Sequence, residues 1–187
     1  MIKRVFDIIS ALLSILLLSP LLVIVSILIV LVDRGPIFYT QKRVGLNGKV
    51  FKLYKFRSMT SNSSRKIEQT YSSSEGVTSV GKVIRRLKID ELPQVINVLR
   101  GDMSIVGPRP CLPDLLESLN EDGKKRLLVR PGLTGLAQIN GNIYLSWEDR
   151  WKFDREYVEN YSFLLDIKII FNTFFIVFAG EKKGLKK

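Results

Sequence analysis

The N-terminal part of the chain carries its most strongly apolar pattern. No charged residue occurs between Ile8 and Val32, and a helix of about 20 apolar residues is long enough to cross a bilayer. The pattern therefore predicts a helix embedded in a membrane. A cleavable signal peptide is the alternative, but no small-residue cleavage site follows the apolar run, which continues into the letters DRGPIF.

A serine-proline pair, Ser19-Pro20, interrupts this apolar segment near its middle. Proline has no backbone N–H, so in lipid the carbonyl that it leaves unbonded needs another donor, for which the Ser19 hydroxyl is a candidate. Basic residues flank both ends (Lys3 and Arg4 before, Arg34 after), so the positive-inside rule assigns no orientation to a span. These residues leave open a kinked spanning helix and a re-entrant hairpin that turns at the pair and leaves on the side it entered.

Shorter elements follow the apolar segment. Residues 36–59 predict two short strands, with Asn47-Gly48 as the signal for a hairpin turn. Residues 60–76 are rich in serine and predict a polar surface loop. The segments 104–110 and 129–140 contain several proline and glycine residues and predict rigid loops or short extended pieces.

Two helices are predicted in the middle of the chain. The first begins near Ser79, with an apolar face formed by Val83, Ile84 and Leu87. The second begins with Asp90 as its N-cap, tolerates Pro93 in its first turn and ends at Gly101. The apolar positions of this second helix are Leu92, Val95, Ile96 and Leu99.

A longer amphipathic helix is predicted near the C-terminus, where polar residues such as Asp166 and Lys168 interrupt an apolar run. Its apolar positions are Phe163, Leu164, Ile167, Ile170, Phe171, Phe174 and Phe178. This stripe has two interpretations, packing into a core or lying in a membrane interface. The basic tail at 181–187 would suit anionic lipid headgroups.

Composition limits the chemistry that these elements could perform. The 187 residues include 29 Lys and Arg against 18 Asp and Glu, a formal net charge of +11. This excess predicts an anionic partner: nucleic acid, a membrane surface or a phosphorylated substrate. The chain has no histidine, which excludes Ser-His and Cys-His nucleophiles and histidine metal sites. Its one cysteine, Cys111, excludes an internal disulfide.

The segment KIDELPQ contains the candidate chemistry, two adjacent acids, Asp90 and Glu91. A helix N-terminus and neighbouring basic residues would keep Asp90 ionised and able to attack phosphorus. Glu91 could bind Mg²⁺, and Arg109, between two prolines, suits bidentate contact with phosphate. The alternative is that Asp90 only caps a helix and that Glu91 is a solvated first-turn residue.

Several segments, in this order, resemble the bacterial monotopic phosphoglycosyl transferases, a family of bacterial sugar transferases. They are KRVFDI, the Ser-Pro pair, GPIFYTQKRVGLNGKVFKLYKFRSM, IRRLKIDELPQVINVLRGDMSIVGPRP, VRPGLTGLAQINGN and SFLLDIKII. The resemblance covers nearly the whole chain, and its motifs are too unusual to coincide in this order by chance.

The resemblance implies an α+β fold that is mostly helical, with a small β-hairpin and amphipathic interfacial helices. Residues 1–34 would form a re-entrant membrane helix-break-helix, interrupted at Ser19-Pro20. Residues 35–187 would form a membrane-associated catalytic domain on the cytoplasmic face of the bacterial inner membrane. The hairpin interpretation of the apolar segment is therefore expected.

The resemblance also implies a reaction in which a phosphosugar passes from a UDP-sugar to polyprenol (undecaprenyl) phosphate and UMP is released. Asp90 matches the nucleophile, which forms a covalent aspartyl phosphosugar, and Glu91 matches the Mg²⁺-binding acid. The positions that match phosphate-binding residues are Lys55, Arg57, Arg85 and Arg109. This is the first membrane step of glycan assembly.

One position departs from the family pattern, since many relatives carry arginine where this chain has Asn142. The competing hypothesis is a non-catalytic, membrane-anchored basic module that binds anionic lipid or nucleic acid. Nucleic-acid binding is not expected, because the aromatic residues concentrate in the C-terminal helix and do not alternate with the basic ones. The sequence leaves open which sugar is used, which glycan pathway is served and whether the protein forms a homodimer.

Overall fold

A computed structural model of the chain describes residues 2–60 and 76–179. The predictions for the basic tail, for the interior of the serine-rich segment and for the Phe178 side chain fall outside this description. The helices are α1 (Ile2–Leu31), α2 (Ser79–Arg86), α3 (Val95–Arg100), α4 (Glu121–Lys125), α5 (Leu136–Ile139), α6 (Trp147–Glu159) and α7 (Phe163–Ala179). The strands are β1 (Phe38–Val44), β2 (Val50–Phe56), β3 (Ser104–Val106) and β4 (Gly132–Thr134). The predicted mostly helical fold with a small antiparallel hairpin is confirmed.

Helix α1 continues without a break through Ser19 and Pro20, so the predicted division into two helices is not confirmed. Pro20 cannot donate to the carbonyl of Leu16 one turn earlier. The Ser19 hydroxyl donates to that carbonyl at 2.9 Å, which confirms the predicted role of Ser19. This local donor replaces the missing N–H, and the helix continues past the proline.

Both halves of α1 pack against the rest of the protein. In the first half, Ala11 joins a buried cluster with residues of β2 and α3. In the second half, Val25 and Ile29 join another cluster with residues of β2 and α2. Leu16 and Leu17, between these contacts, are 69% and 74% exposed. Among the described helices α1 alone has the length and composition to cross a membrane.

The predicted hairpin is confirmed by the antiparallel pair β1–β2, whose register runs from Phe38 opposite Phe56 to Val44 opposite Val50. Its turn is a short 3₁₀ helix, Leu46–Gly48, in which Asn47 and Gly48 have φ values of 54° and 75°. Asparagine and glycine tolerate this left-handed backbone better than other residues do. The sequence signal therefore identified the turn for the correct physical reason.

The segment between α2 and α3 differs from the prediction. Helix α2 begins at Ser79 as expected, but Lys88 takes a left-handed conformation (φ 58°) and a 3₁₀ helix, Ile89–Gln94, follows. Asp90 lies inside the first turn of this 3₁₀ helix, because the Glu91 amide donates to the Lys88 carbonyl and closes the turn there. The prediction of Asp90 as an α-helical N-cap was therefore wrong.

The apolar face predicted for these helices is only partly correct. Val95 and Val98 of α3 are buried, whereas Ile96 is 38% exposed. A 3₁₀ helix has three residues per turn, so passing from it into α3 shifts the register of the face. Gly101, in a left-handed conformation (φ 89°), ends α3 as predicted.

Strands β3 and β4 form a short parallel pair in which Ser104 lies opposite Gly132 and Val106 opposite Thr134. The predicted short extended pieces are thus confirmed. Gly132 is required by close packing, because a Cβ atom there would lie 2.1 Å from the backbone nitrogen of Gly107. Behind this pair, Val106 packs with Tyr157 of α6 and Ile169 of α7 in a third buried cluster.

Most of the apolar stripe of α7 stays outside the core, although Ile170 packs against the third cluster. Leu164, Phe171 and Phe174 are 80%, 61% and 63% exposed, while Asp166 and Ile169 are fully buried. Core packing, one of the two interpretations of this pattern, therefore holds for Ile170 and not for the exposed phenylalanines and Leu164. The exposed stripe lies beside α1, since the rings of Phe6 and Phe163 meet edge to face at 5.2 Å.

A buried polar cluster joins α1 to the helices of the C-terminal part. Asp166 accepts hydrogen bonds from the Lys3 ammonium and the Tyr157 hydroxyl, both at 2.7 Å. Asp7 accepts from the Ser104 hydroxyl at 2.9 Å and from the backbone amide of Ile105 at 3.0 Å. The cluster gives a structural role to Lys3 and Asp7, which precede the apolar segment, and to Asp166, which interrupts the C-terminal apolar run.

Candidate active site

The two adjacent acids lie on the 3₁₀ helix Ile89–Gln94, which packs against strand β2. Asp90 is 7% exposed, and the Glu91 side chain is 17% exposed. Two such carboxylates are unusual in a protein interior unless charged groups accompany them. Their burial argues against the interpretation of Glu91 as a solvated first-turn residue.

Glu91 is held by two basic side chains from separate parts of the chain. Its Oε1 accepts from the Lys55 ammonium at 2.7 Å and from the Arg109 guanidinium at 2.6 Å. Its Oε2 accepts from the second terminal nitrogen of Arg109 at 3.2 Å, giving the two-pronged contact typical of an arginine and a carboxylate. The predicted residues Lys55, Glu91 and Arg109 thus meet in one cluster.

The electrostatics of this cluster favour an ionised Glu91. Burial alone would raise the pKa of Glu91, but the charges of Arg109 and Lys55 and their hydrogen bonds hold that pKa well below its usual range. Burial lowers the pKa of Lys55, an effect that Arg109 adds to and that Glu91 opposes. Glu91 is therefore a fixed negative charge between two cations.

Asp90 behaves differently from its neighbour. Burial and the adjacent charge of Glu91 raise the pKa of Asp90 to about 6, against the opposing effect of Lys55, Arg85 and Lys88. The sequence predicted that the neighbouring basic residues would have the largest effect on the ionisation of Asp90. That prediction was wrong, because burial and the charge of Glu91 have the larger effect on its pKa. A pKa near 6 still leaves Asp90 mostly ionised at neutral pH, which a nucleophile requires.

The other two predicted phosphate-binding residues have different surroundings. Arg85, on α2, lies close enough to lower the pKa of Asp90 and points its guanidinium toward the Ser58 hydroxyl at 3.5 Å. Arg57 donates to the backbone carbonyl of Asp33 at 2.7 Å, so its contact is with the segment that follows α1. The structure brings Arg85 to the acidic pair, whereas Arg57 attaches the segment that follows α1.

Arg109 lies between two prolines in the Pro108-Arg109-Pro110 segment, which follows β3. Two arginines that the sequence did not single out contact its backbone: Arg126 donates to the Arg109 carbonyl at 2.5 Å and Arg43 donates to the Pro110 carbonyl at 3.3 Å. Burial and the nearby charge of Arg109 lower the pKa of Arg43 to about 10. Arg43 and Arg126 occur in the letters QKR and KKR, and neither local sequence distinguishes them from solvent-exposed arginines.

Asn142, where the family pattern has arginine, is 8% exposed and has a left-handed backbone (φ 46°). Asparagine is among the few residues besides glycine that adopt this conformation readily. The residue therefore serves the tight 3₁₀ turn Asn142–Tyr144, a role that the sequence did not predict.

The acidic pair fits a divalent cation only together with a substrate. Mg²⁺ in such sites is bound by one or two carboxylates and by phosphate oxygens of the substrate. A carboxylate has more acceptor positions than the contacts of Glu91 occupy, and Oε2 has one contact, at 3.2 Å. No group of three or more histidine, cysteine, aspartate or glutamate side chains occurs in the described ranges, so substrate oxygens would have to complete the site.

Comparison with known proteins identifies the family. The profile of the bacterial sugar transferases matches residues 1–180. The chain belongs to the bacterial sugar transferase family. The sequence resemblance is thereby confirmed, and the match includes α1, the acidic pair and all of α7.

Relatives of this bacterial sugar transferase cover almost all of its length. The exopolysaccharide production protein ExoY of Sinorhizobium fredii is 43% identical over 91% of this chain and 83% of that protein. The uncharacterized sugar transferase EpsL of Bacillus subtilis is 44% identical over 96% of this chain and 88% of that protein. The UDP-glucose:undecaprenyl-phosphate glucose-1-phosphate transferase of Escherichia coli is 41% identical over 97% of this chain, but the match spans only 41% of that longer protein.

These relatives decide between the two hypotheses that the sequence left. Several are named as undecaprenyl-phosphate sugar phosphotransferases, and none of these names describes a non-catalytic binding module. The prediction of an enzyme of the phosphoglycosyl transferase type is confirmed at the level of the family.

Proposed function

We propose that this bacterial sugar transferase transfers a sugar phosphate from a UDP-sugar to undecaprenyl phosphate at the membrane surface and releases UMP. The observation that carries the proposal is the buried Asp90–Glu91 pair, whose Glu91 binds both Lys55 and Arg109. The names of longer relatives, such as the Escherichia coli enzyme, support the donor and acceptor classes.

In the first step, a carboxylate oxygen of Asp90 attacks the phosphorus atom that carries the sugar. The bond from that phosphorus to the bridging diphosphate oxygen breaks, and UMP leaves with the electron pair. The product on the protein is an aspartyl phosphosugar. No proton needs to move in this step, because the attacking carboxylate is ionised and UMP leaves as an anion, which suits a chain without histidine.

In the second step, a phosphate oxygen of undecaprenyl phosphate attacks the same phosphorus atom. The bond between Asp90 and phosphorus breaks, which restores the carboxylate and forms undecaprenyl diphosphate sugar. The two steps use one nucleophile and one phosphorus centre in turn. The expected kinetic pattern is therefore ping-pong, with UMP formed before the acceptor is required.

Lys55, Arg85 and Arg109 would neutralise the charge of the diphosphate. Lys55 and Arg109 now contact Glu91, and a bound diphosphate would offer them further oxygen partners at close range. Preorganised cations of this kind stabilise charge that develops in the transition state. Glu91 would hold Mg²⁺ together with substrate oxygens, and the bound ion would supply further positive charge to the transferring phosphoryl group.

We also propose that α1 enters the membrane without crossing it, so that both of its ends lie on the cytoplasmic face. A spanning helix would place its two ends about 30 Å apart, on opposite sides of the hydrocarbon core. Here the first half (Ala11) and the second half (Val25, Ile29) both pack against the one folded domain. The exposed apolar residues of mid-α1 and of α7 supply the surface that lipid would cover.

The reaction is tested with the purified full chain, radiolabelled UDP-sugars, Mg²⁺ and undecaprenyl phosphate. The wild-type chain should release UMP, form a lipid-linked product and, when the acceptor is omitted, retain label on the protein. Asp90→Asn should lose all three signals, whereas the exposed matched control Asp114→Asn should keep them. Normal turnover by Asp90→Asn would show that Asp90 is not the nucleophile.

A further inference from the structure

Three consecutive carbonyls of the Pro108-Arg109-Pro110 segment each accept a hydrogen bond from elsewhere in the chain. The Pro108 carbonyl accepts from the Gly132 amide at 2.9 Å. The Arg109 and Pro110 carbonyls accept from the guanidinium groups of Arg126 and Arg43. Because proline has no N–H, the segment has few donors of its own and is held in place mainly through these carbonyls.

Arg126 is the most buried of these donors. It lies in the 3₁₀ helix Arg126–Leu128 and is 6% exposed. The terminal nitrogen that donates to the Arg109 carbonyl, Nη2, also lies 3.2 Å from Oδ2 of Asp154, an α6 residue that is 2% exposed. A buried guanidinium that touches one carbonyl and one carboxylate can take few orientations, because its donors form a rigid plane.

A continuous series of contacts joins Asp154 of α6 to the acidic pair. Asp154 binds Arg126, Arg126 binds the backbone of Arg109, and the Arg109 side chain binds Glu91. On the opposite side of the segment, Arg43 is itself oriented by the Gln41 side chain at 2.7 Å. The backbone of Arg109 is therefore fixed from two directions before its side chain reaches Glu91.

We propose that Arg126, oriented by Asp154, is a positioning residue for the transfer reaction: it fixes the Pro-Arg-Pro backbone so that Arg109 reaches the acidic pair and the substrate phosphates. The inference rests on the proposed function. It assigns a role to helix α6, which contributes no residue to the acidic cluster. A displacement of about 1 Å in a catalytic group lowers rates by roughly a hundredfold, so loss of this contact should be visible in turnover.

The test is a double-mutant cycle between Arg126 and Arg109, with UMP release measured in a membrane-mimetic preparation of the full chain. Arg126→Met should lower kcat/KM by roughly a hundredfold. In an Arg109→Met background, the same change should lower it less than about threefold, because residues that act through one contact are not additive. Arg126→Lys should restore little, because the lysine side chain is shorter and its ammonium would not reach the position of the Arg126 Nη2 that contacts both partners.

Arg155→Met is the matched control, because Arg155 lies on α6 beside Asp154 but binds Asp122 at 2.8 Å, which attaches α6 to α4. It should leave kcat/KM within about twofold, since the Arg155 side chain is partly exposed and a partly exposed ion pair contributes little. Asp154→Asn, which keeps the shape of the side chain, tests the same chain of contacts if Arg126→Met fails to fold. It should also lower kcat/KM in the wild-type background and have little effect in the Arg109→Met background.

Equal losses in both backgrounds would overturn the inference, because Arg126 would then act independently of Arg109. Full activity of Arg126→Met would overturn it as well. A wild-type chain that releases no UMP would contradict the proposed function itself. An active wild-type chain with an additive cycle would contradict only the role of Arg126.

Discussion

Lys55 and Lys52 lie on the same strand and differ only in the face that they occupy. Side chains alternate between the faces of a strand, so positions 52 and 55 point to opposite sides. Lys52 is exposed, whereas the Lys55 side chain is 18% exposed and binds Glu91 at 2.7 Å. The pair provides a matched comparison of the same residue type inside and outside the site.

Lys55→Met should lower UMP release by about a hundredfold, because a preorganised cation in a buried site contributes roughly 10²–10³ in rate. Lys52→Met should change it by less than about twofold, since an exposed lysine without a buried partner contributes little. Both variants are assayed at saturating UDP-sugar. Equal losses in the two would show that overall positive charge matters and that the Lys55 contact does not.

The identity of the site residues was predictable to different degrees. Asp90, Glu91, Lys55 and Arg109 follow from composition and from motifs that resemble the family. The role of Arg57 was not predictable, because Arg57 and Lys55 have the same charge and similar neighbours. Only the fold shows that Arg57 reaches the Asp33 carbonyl after strand β2 ends.

At the scale of elements, the polar cluster around Asp166 joins α1, α6 and α7. Asp166 is fully buried and accepts from Lys3 and from Tyr157. Burial and the hydrogen bond to Asp166 raise the pKa of Tyr157 far above its usual range, so Tyr157 remains a donor. The cluster joins the N-terminal end of α1 to α6 and α7 by hydrogen bonds of defined geometry.

Asp166→Asn should lower the free energy of unfolding by about 3 kcal/mol, since it leaves the Lys3 charge without its closest partner in a mostly buried site. The matched control is Asp114→Asn, an exposed aspartate, which should leave stability unchanged within about 0.5 kcal/mol. Thermal unfolding in detergent, compared between the two variants, measures the difference. An unchanged melting temperature in Asp166→Asn would mean that the cluster does not stabilise the fold.

The pH dependence of stability has a defined sign at Asp154 in α6. Burial raises the pKa of Asp154 to about 6, against the attraction of Arg126 and Arg150. The folded state therefore binds a proton more tightly than the unfolded state, and stability from this residue increases as pH falls from 7 to about 4. The gain is about 3 kcal/mol at most, for a shift of roughly two pKa units.

Unfolding of the wild-type chain and of Asp154→Asn should therefore be measured between pH 7 and pH 4.5. The melting temperature of the wild type should rise relative to that of the variant as pH falls, because only the wild type gains the proton. The other acids titrate in both proteins and cancel in the difference. A relative fall of the wild type would show that the ion pair with Arg126 outweighs the cost of burial.

At the scale of the whole molecule, α1 and α7 expose large apolar side chains and contact each other. Phe6 contacts Phe163 at their junction, and the mid-helix leucines of α1 and Phe171, Phe174 and Phe175 of α7 are exposed. Large apolar areas of this kind on a folded protein mark contact with a partner or a membrane. A lipid surface is the partner that agrees with α1, the helix long and apolar enough to enter a bilayer.

The proposed topology predicts the labelling of introduced cysteines. Cys111 is the only cysteine and is buried, so Cys111→Ser provides a background for Ile2→Cys, Val32→Cys and Leu16→Cys. Both terminal positions should react with a membrane-impermeant thiol reagent from the cytoplasmic side. Leu16→Cys should be protected, because lipid would cover it. Labelling of position 2 only from the periplasmic side would show that α1 crosses the membrane.

The sequence alone determined the features that depend on neighbouring residues or on composition. These include the long apolar N-terminal helix, the turn at Asn47-Gly48, the end of α3 at Gly101 and the exclusion of histidine chemistry. Each of them depends on local backbone preference, on the length of an apolar segment or on the residue types present. All of these properties are visible in the amino-acid sequence. The bond from Ser19 to the Leu16 carbonyl was predictable for the same reason.

Only the tertiary structure decided which residues meet across long stretches of chain. It placed Glu91 between Lys55 and Arg109, buried Asp166 while exposing Phe171 and Phe174, and brought Arg126 to the backbone of Arg109. Helical periodicity shows that a helix has two faces, but whether the apolar face meets protein or lipid depends on what packs against it. Equally, the charge of an arginine does not indicate whether it binds substrate, solvent or a distant carbonyl.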